Sequence, residues 1–142
     1  MGVNISSKHR NIAMGYFGFQ RLRRTVANLC PKEIADHYNY LLDNLHYIAA
    51  HKEVSDWYDE GIGRLYEMFG KRYGKILNFL YASDCDAEMT YGTAKQLLSV
   101  IGDYDDDVIY GYAGWGKDAA RFRNFKELLQ DAADTRTSWC WN

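Results

Sequence analysis

Two short stretches of the chain share the skeleton Gly-Tyr-x-Gly-aromatic: GYFGF at residues 15–19 and GYAGW at residues 111–115. Glycine permits positive φ and lets another group approach the backbone closely, so each stretch can turn sharply while it carries aromatic rings. Rings held in this way can stack on a planar ligand. We call these stretches the first and the second elbow. We expect them to frame one shared site with these aromatic side chains: Tyr16, Phe19, Tyr112 and Trp115.

Basic side chains follow each elbow. Arg21 and Arg24 are three positions apart and would share one face of a helix, and Lys117 follows the second elbow. Guanidinium groups bind phosphate or carboxylate through paired N–H donors. The shared site is therefore predicted to take a small anionic, nucleotide-like ligand. Two alternatives stay open. Both elbows could begin helices and fill the core with their rings, or the arginines could form a solvated face that pairs with the acidic run DYDDD.

That acidic run contains the densest charge of the chain, at Asp103, Asp105, Asp106 and Asp107. Magnesium accepts one or two carboxylates when a phosphate supplies the remaining ligands. Asp103, Asp105 and Asp106 are thus weak candidates for a metal site, and an enzyme acting on a nucleotide or phosphoester is an alternative function. The main expectation is a solvated loop or helix start, because acidic side chains are mostly exposed. A surface that receives a basic partner is the third interpretation.

Enzyme signatures are missing from the sequence. It contains no HExxH zinc pair, no GxSxG nucleophile elbow and no phosphate-binding loop that ends in Lys-Ser or Lys-Thr. The three cysteines, Cys30, Cys85 and Cys140, are widely spaced and form no CxxC pair, which is typical of free thiols in a reducing compartment. We therefore expect a protein without a cofactor, and the sequence favours a binding role over catalysis.

Composition and charge narrow the classes of partner. The net charge is -2 and the isoelectric point about 6.1, which argues against sequence-independent nucleic-acid binding. The N-terminus lacks the apolar stretch of a signal peptide, and no apolar run is long enough for a membrane span. We expect a cytoplasmic protein that does not bind membranes. Twelve tyrosines contribute to an aromatic fraction of 15%, so the chain either uses rings for core bulk or carries a binding surface.

Helical periodicity dominates the 142 residues and predicts one compact, mainly α domain of five to seven helices. The first helix follows the first elbow, and a second of nearly 20 residues runs from about Pro31 to Ile48. A third contains Tyr58 to Phe69 and stops at Gly70, and a fourth contains Tyr73 to Leu80. Thr90 is predicted to cap a fifth helix and Asp118 to cap the last. VNIS and TSWCW at the termini alternate as strands do and could pair with each other.

Two segments of the sequence resemble segments of other proteins. MGYFGFQRLR at 14–23 and GDYDDDVIYGYAG at 102–114 resemble small uncharacterised proteins of Firmicutes-type bacteria and their phages. The resemblance implies a small accessory gene of a kind that phages carry, and it brings no activity and no site residue. Together with the missing enzyme signatures, it leads us to expect a non-enzymatic binding protein. Such a factor would sequester a host protein or a small signalling molecule as an anti-defence device. A structural subunit that assembles as a homo-oligomer is the remaining alternative.

Overall fold

A computed structural model describes residues 2–111 and 120–142. Helices hold 65% of these residues, and the mainly α, single-domain fold predicted from the sequence is confirmed. The described helices are α1 Tyr16–Asn28, α2 Lys32–Asp43, α3 Leu45–Ala50, α4 Lys52–Tyr81, α5 Tyr91–Ile101 and α6 Phe122–Thr135. The described strands are β1 Gly2–Ser6, β2 Asn11–Gly15, β3 Ala87–Met89 and β4 Trp139–Trp141. None of the helices in these ranges combines the length and the apolar character that a membrane crossing requires.

The chain termini meet in a small antiparallel sheet. Ile5 of β1 lies opposite Trp141 of β4, so the predicted pairing of the two termini is confirmed. The sheet is larger than the two strands that the sequence indicated, because β2 and β3 flank them in the order β2-β1-β4-β3. Alternating side chains of β1 and β4 face the helices, which buries Val3, Ile5, Trp139 and Trp141 to within 1% of complete.

An aromatic cluster joins this sheet to the helices. Trp141 lies with its ring centroid 5.2 Å from that of Phe19 in α1 and 5.7 Å from that of Phe79 in α4. Both tryptophan indoles find acceptors for their N–H groups: Trp139 Nε1 donates to Thr90 O at 3.1 Å, and Trp141 Nε1 donates to Ser83 O at 2.9 Å. Burying these large rings supplies apolar area, and the two hydrogen bonds fix where each ring sits.

The second predicted helix is interrupted. Its backbone leaves the helical region at Asn44, whose φ is -134° and ψ is 29°, so the segment divides into α2 and α3. The Asn44 side chain donates to Tyr40 O at 3.0 Å and satisfies a carbonyl of the last turn of α2. Asparagine competes for backbone hydrogen bonds in this way, which is why it favours helix ends. The prediction of one helix of nearly 20 residues is therefore wrong.

Helical backbone continues through α4 from Lys52 to Tyr81, so the predicted helix end at Gly70 is wrong. The helix axis nevertheless reverses. A straight helix would separate Tyr58 from Tyr81 by about 34 Å, yet their ring centroids lie 6.3 Å apart. The Tyr66 hydroxyl also hydrogen bonds to the Asn78 side chain. The two arms of α4 thus lie side by side, and the turn between them contains Gly70 and Gly74, where helices bend most easily.

The two remaining helix starts differ in how well the sequence predicted them. The Thr90 hydroxyl accepts a hydrogen bond from the Thr93 amide at 3.3 Å, so Thr90 caps α5 as predicted. The last helix begins later than predicted. Its N-cap residue is Arg121, whose amide donates to Asn124 Oδ1 at 3.0 Å, and Asp118 lies outside the described residues.

The first turn of α1 packs directly against the backbone that leads into the second elbow. A Cβ atom built on Gly18 would lie 1.7 Å from Tyr110 O, a distance that no side chain can occupy. Gly18 is therefore required for this close approach rather than for an unusual backbone angle. The same junction is closed by a hydrogen bond of 2.8 Å between the hydroxyl groups of Thr25 and Tyr110.

We predict that Gly18→Ala lowers the free energy of unfolding by about 1–3 kcal/mol or more, because the new methyl group must push the Tyr110 backbone away. Gly63→Ala is the matched control, since no atom lies within 4 Å of a Cβ built at that exposed helical position. It should leave stability unchanged or raise it by up to about 1 kcal/mol. Equilibrium urea unfolding of both variants measures the difference, and equal stabilities would contradict the close approach.

Candidate ligand-binding site

The first elbow is the junction between β2 and α1. Gly15 ends the strand and Tyr16 begins the helix, as in the alternative in which the elbow starts a helix. Phe19 is 1% exposed and belongs to the core, whereas Tyr16 is 37% exposed at the surface. The second elbow is described only at Gly111. Tyr112, Trp115 and Lys117 lie outside the described residues, so their place in a shared site stays a prediction.

The described parts of the two elbows lie next to each other. A cavity of about 180 Å³ is lined by Gly15, Phe17, Gly18, Arg21, Tyr110 and Gly111. Its floor is the contact between Gly18 and the Tyr110 backbone. The sequence prediction that the elbows are neighbours therefore agrees with the structure as far as Gly111. This cavity is smaller than the roughly 300–1,000 Å³ of ordinary small-molecule sites.

The two arginines of the predicted site bind different neighbours. Arg21 Nη2 donates to Ile109 O at 3.0 Å, and its guanidinium lies 5.3 Å above the centre of the Tyr110 ring. Arg24 pairs with Asp43 of α2 at 3.1 Å. Arg21 thus lines the elbow cavity, while Arg24 is held against the next helix. The alternative that these two arginines pair with the acidic run is wrong.

The acidic run is paired with bases of α6 instead. Asp106 Oδ1 lies 2.8 Å from Lys126 Nζ, and Asp107 Oδ1 lies 3.4 Å from Arg123 Nη2. The Lys126 ammonium lowers the pKa of the Asp106 carboxyl. Asp105 Oδ1 accepts a hydrogen bond from the Asp107 amide at 2.9 Å. Among the residues that the structure describes, no group of three acidic, histidine or cysteine side chains could hold a metal ion, and this includes Asp103, Asp105 and Asp106.

A larger cavity of about 580 Å³ lies between α1, α2, α3 and the two arms of α4. We call it the Arg23 groove. Its lining consists of Tyr16, Phe17, Phe19, Gln20, Arg23, Tyr38, Leu41, Leu42, Leu45, Ile48, Tyr58, Asp59, Ile62, Leu80, Tyr81, Ala82, Ser83 and Asp84. The reversal of α4 creates this groove, because it brings the start and the end of that helix to the same side of α1. The volume and the mostly apolar lining are ordinary for a small-molecule site.

Arg23 is the buried cation of this groove. Only 5% of the residue is exposed, and its guanidinium lies 4.6 Å from the centre of the Phe19 ring and 5.2 Å from that of Trp141. Nη2 donates to Ala82 O at 2.8 Å, beyond the C-terminal end of α4, where carbonyl groups carry partial negative charge. Within residues 2–111 and 120–142, Arg23 forms no ion pair, and its buried Nε has no hydrogen-bond partner.

Burial lowers the pKa of the Arg23 guanidinium, because a desolvated charge is unfavourable. An arginine nevertheless stays protonated in a protein. The carbonyls of Ala82 and Ser83 and the aromatic faces offset part of the cost, but they supply no full negative charge. The exposed Asp84 carboxylate only partly offsets the effect of burial on the pKa of Arg23. An anion that entered the groove would therefore meet an under-compensated charge.

A tyrosine–histidine network forms the wall beside Arg23. His37 Nε2 lies 3.0 Å from Tyr58 O, and because a carbonyl can only accept, Nε2 must carry the proton. In the neutral ring Nδ1 then accepts a hydrogen bond from the Tyr81 hydroxyl at 2.6 Å. The His37 ring stacks on Tyr58 at 3.9 Å, and Gly61 permits this, since a Cβ there would lie 2.6 Å from Nε2.

The hydroxyl of Tyr58 is buried and has no hydrogen-bond partner among the described residues. Burial raises the pKa of Tyr58 and of Tyr81, so both remain protonated at neutral pH. Burial is also the main cause that raises the pKa of Tyr38. Neutral phenols can donate hydrogen bonds to an anion, but they are poor proton acceptors. The arrangement is therefore suited to holding a ligand by its charge and its apolar body.

Arg23 was not among the predicted site residues, although the sequence contains a signal for it. Arg23 lies four residues after Phe19 and three before Val26, in the spacing of the apolar stripe that α1 turns toward the core. A charged residue at such a position must be buried or must distort the helix. Arg21 and Arg24 were predicted instead, because their spacing places both on one face of the helix.

The chain was compared with protein-family models, curated proteins and solved structures, and no significant match was found.

We predict that His37 makes stability depend on pH. Burial lowers its pKa below the ordinary value of 6.5, so the unfolded chain binds the proton more readily than the folded protein does. The contribution of His37 is complete above pH 6.5 and is lost as the pH falls below that value toward the lowered pKa. Urea unfolding at a series of pH values should therefore show a decline that His37→Gln reduces. The exposed His46 provides the control variant His46→Gln, which should keep the wild-type decline. Identical pH curves for His37→Gln and the wild type would contradict the network.

Proposed function

We propose that this protein is a non-enzymatic binding protein that captures a small anionic ligand in the Arg23 groove. The observation that carries the proposal is the Arg23 guanidinium, which is 5% exposed and forms no ion pair within the described part of the chain. A buried charge without an opposite charge is unfavourable, and a ligand carboxylate or phosphate would remove that cost.

The shape and chemistry of the groove support the same proposal. Its volume of about 580 Å³ is suited to a small molecule, and its walls combine apolar helix faces with tyrosine hydroxyl groups. Arginine is well matched to carboxylate and phosphate because its planar fork can donate two hydrogen bonds. The ligand would therefore combine an anionic group at Arg23 with an apolar body along α1.

The proposal extends to sequestration in the cytoplasm of a bacterial host. Support comes from the resemblance of residues 14–23 and 102–114 to small phage proteins and from the missing enzyme signatures. An anti-defence factor that holds a host signalling molecule would need a groove of this kind and no catalytic group. The alternative of a phosphoester enzyme at residues 103–107 has weaker support, since Asp106 and Asp107 already pair with Lys126 and Arg123.

A role in assembly has one observation in its favour. In the part of the chain that the structure describes, four large apolar side chains are at least half exposed: Phe17 82%, Met68 61%, Tyr47 51% and Trp57 51%. A self-interface would cover such side chains. Light scattering during size-exclusion chromatography tests this second candidate, which predicts a stable oligomer at micromolar concentration. A monomer would rule it out.

The binding proposal is tested with the anionic fluorescent probe anilinonaphthalene sulfonate, titrated into the wild type, Arg23→Met and Arg24→Met. The two variants lose the same side chain one position apart, and Arg24 is a partly exposed residue that pairs with Asp43. We predict saturable binding to the wild type and to Arg24→Met, and a loss of about tenfold or more in Arg23→Met, typical of a missing charge-assisted hydrogen bond. Arg23→Lys keeps the charge and should lie between them.

Equal binding by Arg23→Met and Arg24→Met would contradict the proposal. Circular dichroism must show that both variants keep the helical content of the wild type, so that lost binding cannot reflect unfolding. Native mass spectrometry of the protein as purified from cells gives an independent readout. A co-purified small mass that disappears in Arg23→Met, and persists in Arg24→Met, would identify the natural ligand.

A further inference from the structure

The side chains that line the groove on α1 form one stripe. Tyr16, Phe19, Gln20 and Arg23 follow the spacing of three and four residues that places side chains on one helix face. The stripe begins at the exposed first turn and ends at the buried guanidinium. Because a helix rises 1.5 Å per residue, Arg23 lies about 9–10.5 Å along the axis from Phe17 and Tyr16. A ligand that spans the groove is therefore about as long as two fused aromatic rings with an anionic group.

The open end of this stripe presents aromatic rings. Phe17 is 82% exposed, more than any other large apolar side chain of the described residues, and Tyr16 beside it is 37% exposed. Both line the Arg23 groove. An exposed phenylalanine in the first turn of a helix makes no contribution to the core. Rings in this position offer flat faces on which a planar ligand can stack.

The charges around the groove limit the ligand to a single negative charge. Among the described residues that line the groove, Arg23 is the only basic one, and two exposed carboxylates, Asp59 and Asp84, lie at the same groove. A triphosphate or another polyanion would place surplus charge next to these carboxylates, where like charges repel. Arg21 and Arg24, which could have neutralised a phosphate chain, are bound to Ile109 O and to Asp43.

From these observations we infer that the ligand class is a planar aromatic monoanion, held by its anionic group at Arg23 and stacked on Phe17 and Tyr16. This inference rests on the proposed function, and it adds the ring, the single charge and the direction in which the ligand lies. Phe17 is then a specificity-determining residue, because its exposed ring provides the face on which the ligand stacks.

The inference is tested by isothermal titration calorimetry of the full chain with four probes. Naphthoate is the aromatic monoanion, octanoate is an aliphatic monoanion, naphthalenemethanol is planar but neutral, and adenosine triphosphate is planar but polyanionic. We predict that naphthoate binds at least about tenfold more tightly than each of the other three, since stacking and the anion contact both contribute.

Phe17→Leu tests whether binding needs an aromatic ring at position 17 or only an apolar side chain. Because Phe17 is exposed, this variant keeps the fold, and the prediction is that it loses most of the preference for naphthoate over octanoate. Trp57→Leu, which removes an exposed ring outside the groove lining, should keep the full preference. Arg23→Met should instead lose the preference for naphthoate over naphthalenemethanol.

The possible failures are distinguishable. If octanoate and naphthoate bind equally and both depend on Arg23, the aromatic class is overturned and the proposed function stands. If adenosine triphosphate binds more tightly than naphthoate, the restriction to one charge is overturned. If no probe binds in an Arg23-dependent manner, both the proposed function and this inference fail.

Discussion

The Arg23 guanidinium lies where the main parts of this molecule meet. It stacks on Phe19 of its own helix, on Phe79 of α4 and on Trp141 of the C-terminal strand, and it donates to the carbonyl that follows α4. Helix, sheet and the end of the longest helix therefore share one cationic side chain. A methionine could fill similar space without the cost of desolvation. The charge is explained if Arg23 also binds an anion, as we propose, because the groove opens onto its guanidinium.

The elements of the fold follow from local sequence patterns to different degrees. Thr90 and the apolar spacing after it define α5, and the alternation of Trp139 and Trp141 defines a strand, because each pattern reflects a single helix or strand. The interruption at Asn44 depends on one side chain that competes with the backbone, and helical periodicity runs through it. β2 and β3 were not predicted. β3 has only three residues and pairs with β4, which is distant in the sequence, whereas β2 forms a local hairpin with β1.

The reversal of α4 shows the same limit more clearly. Gly70 indicated a boundary, and the chain does turn back in this region, but helical backbone continues through it. Periodicity describes which residues share a face, and it carries no information on whether two helical arms lie in line or side by side. That information comes from contacts such as Tyr58 with Tyr81. Since the groove exists only because the arms lie side by side, no pattern in the sequence could have located it.

The shared site of the two elbows stays a prediction. Gly111 lies beside the first elbow, but Phe19 is a core residue and Arg24 binds Asp43. Arg21 and Arg24 were predicted because their spacing places them on one helix face, although an exposed arginine can also pair with any nearby acid. A buried arginine on an apolar stripe is rarer and carries more information, because the fold must surround it with acceptors.

The central claim, that Arg23 is the anion site of the groove, is tested most directly by a crystal structure of the protein with bromonaphthoate. The anomalous signal of bromine locates the ring independently of the carboxylate. The account predicts the carboxylate within hydrogen-bond distance of the Arg23 guanidinium and the bromine toward Tyr16 and Phe17. A probe bound elsewhere, or a groove that stays empty at saturating probe, would contradict it.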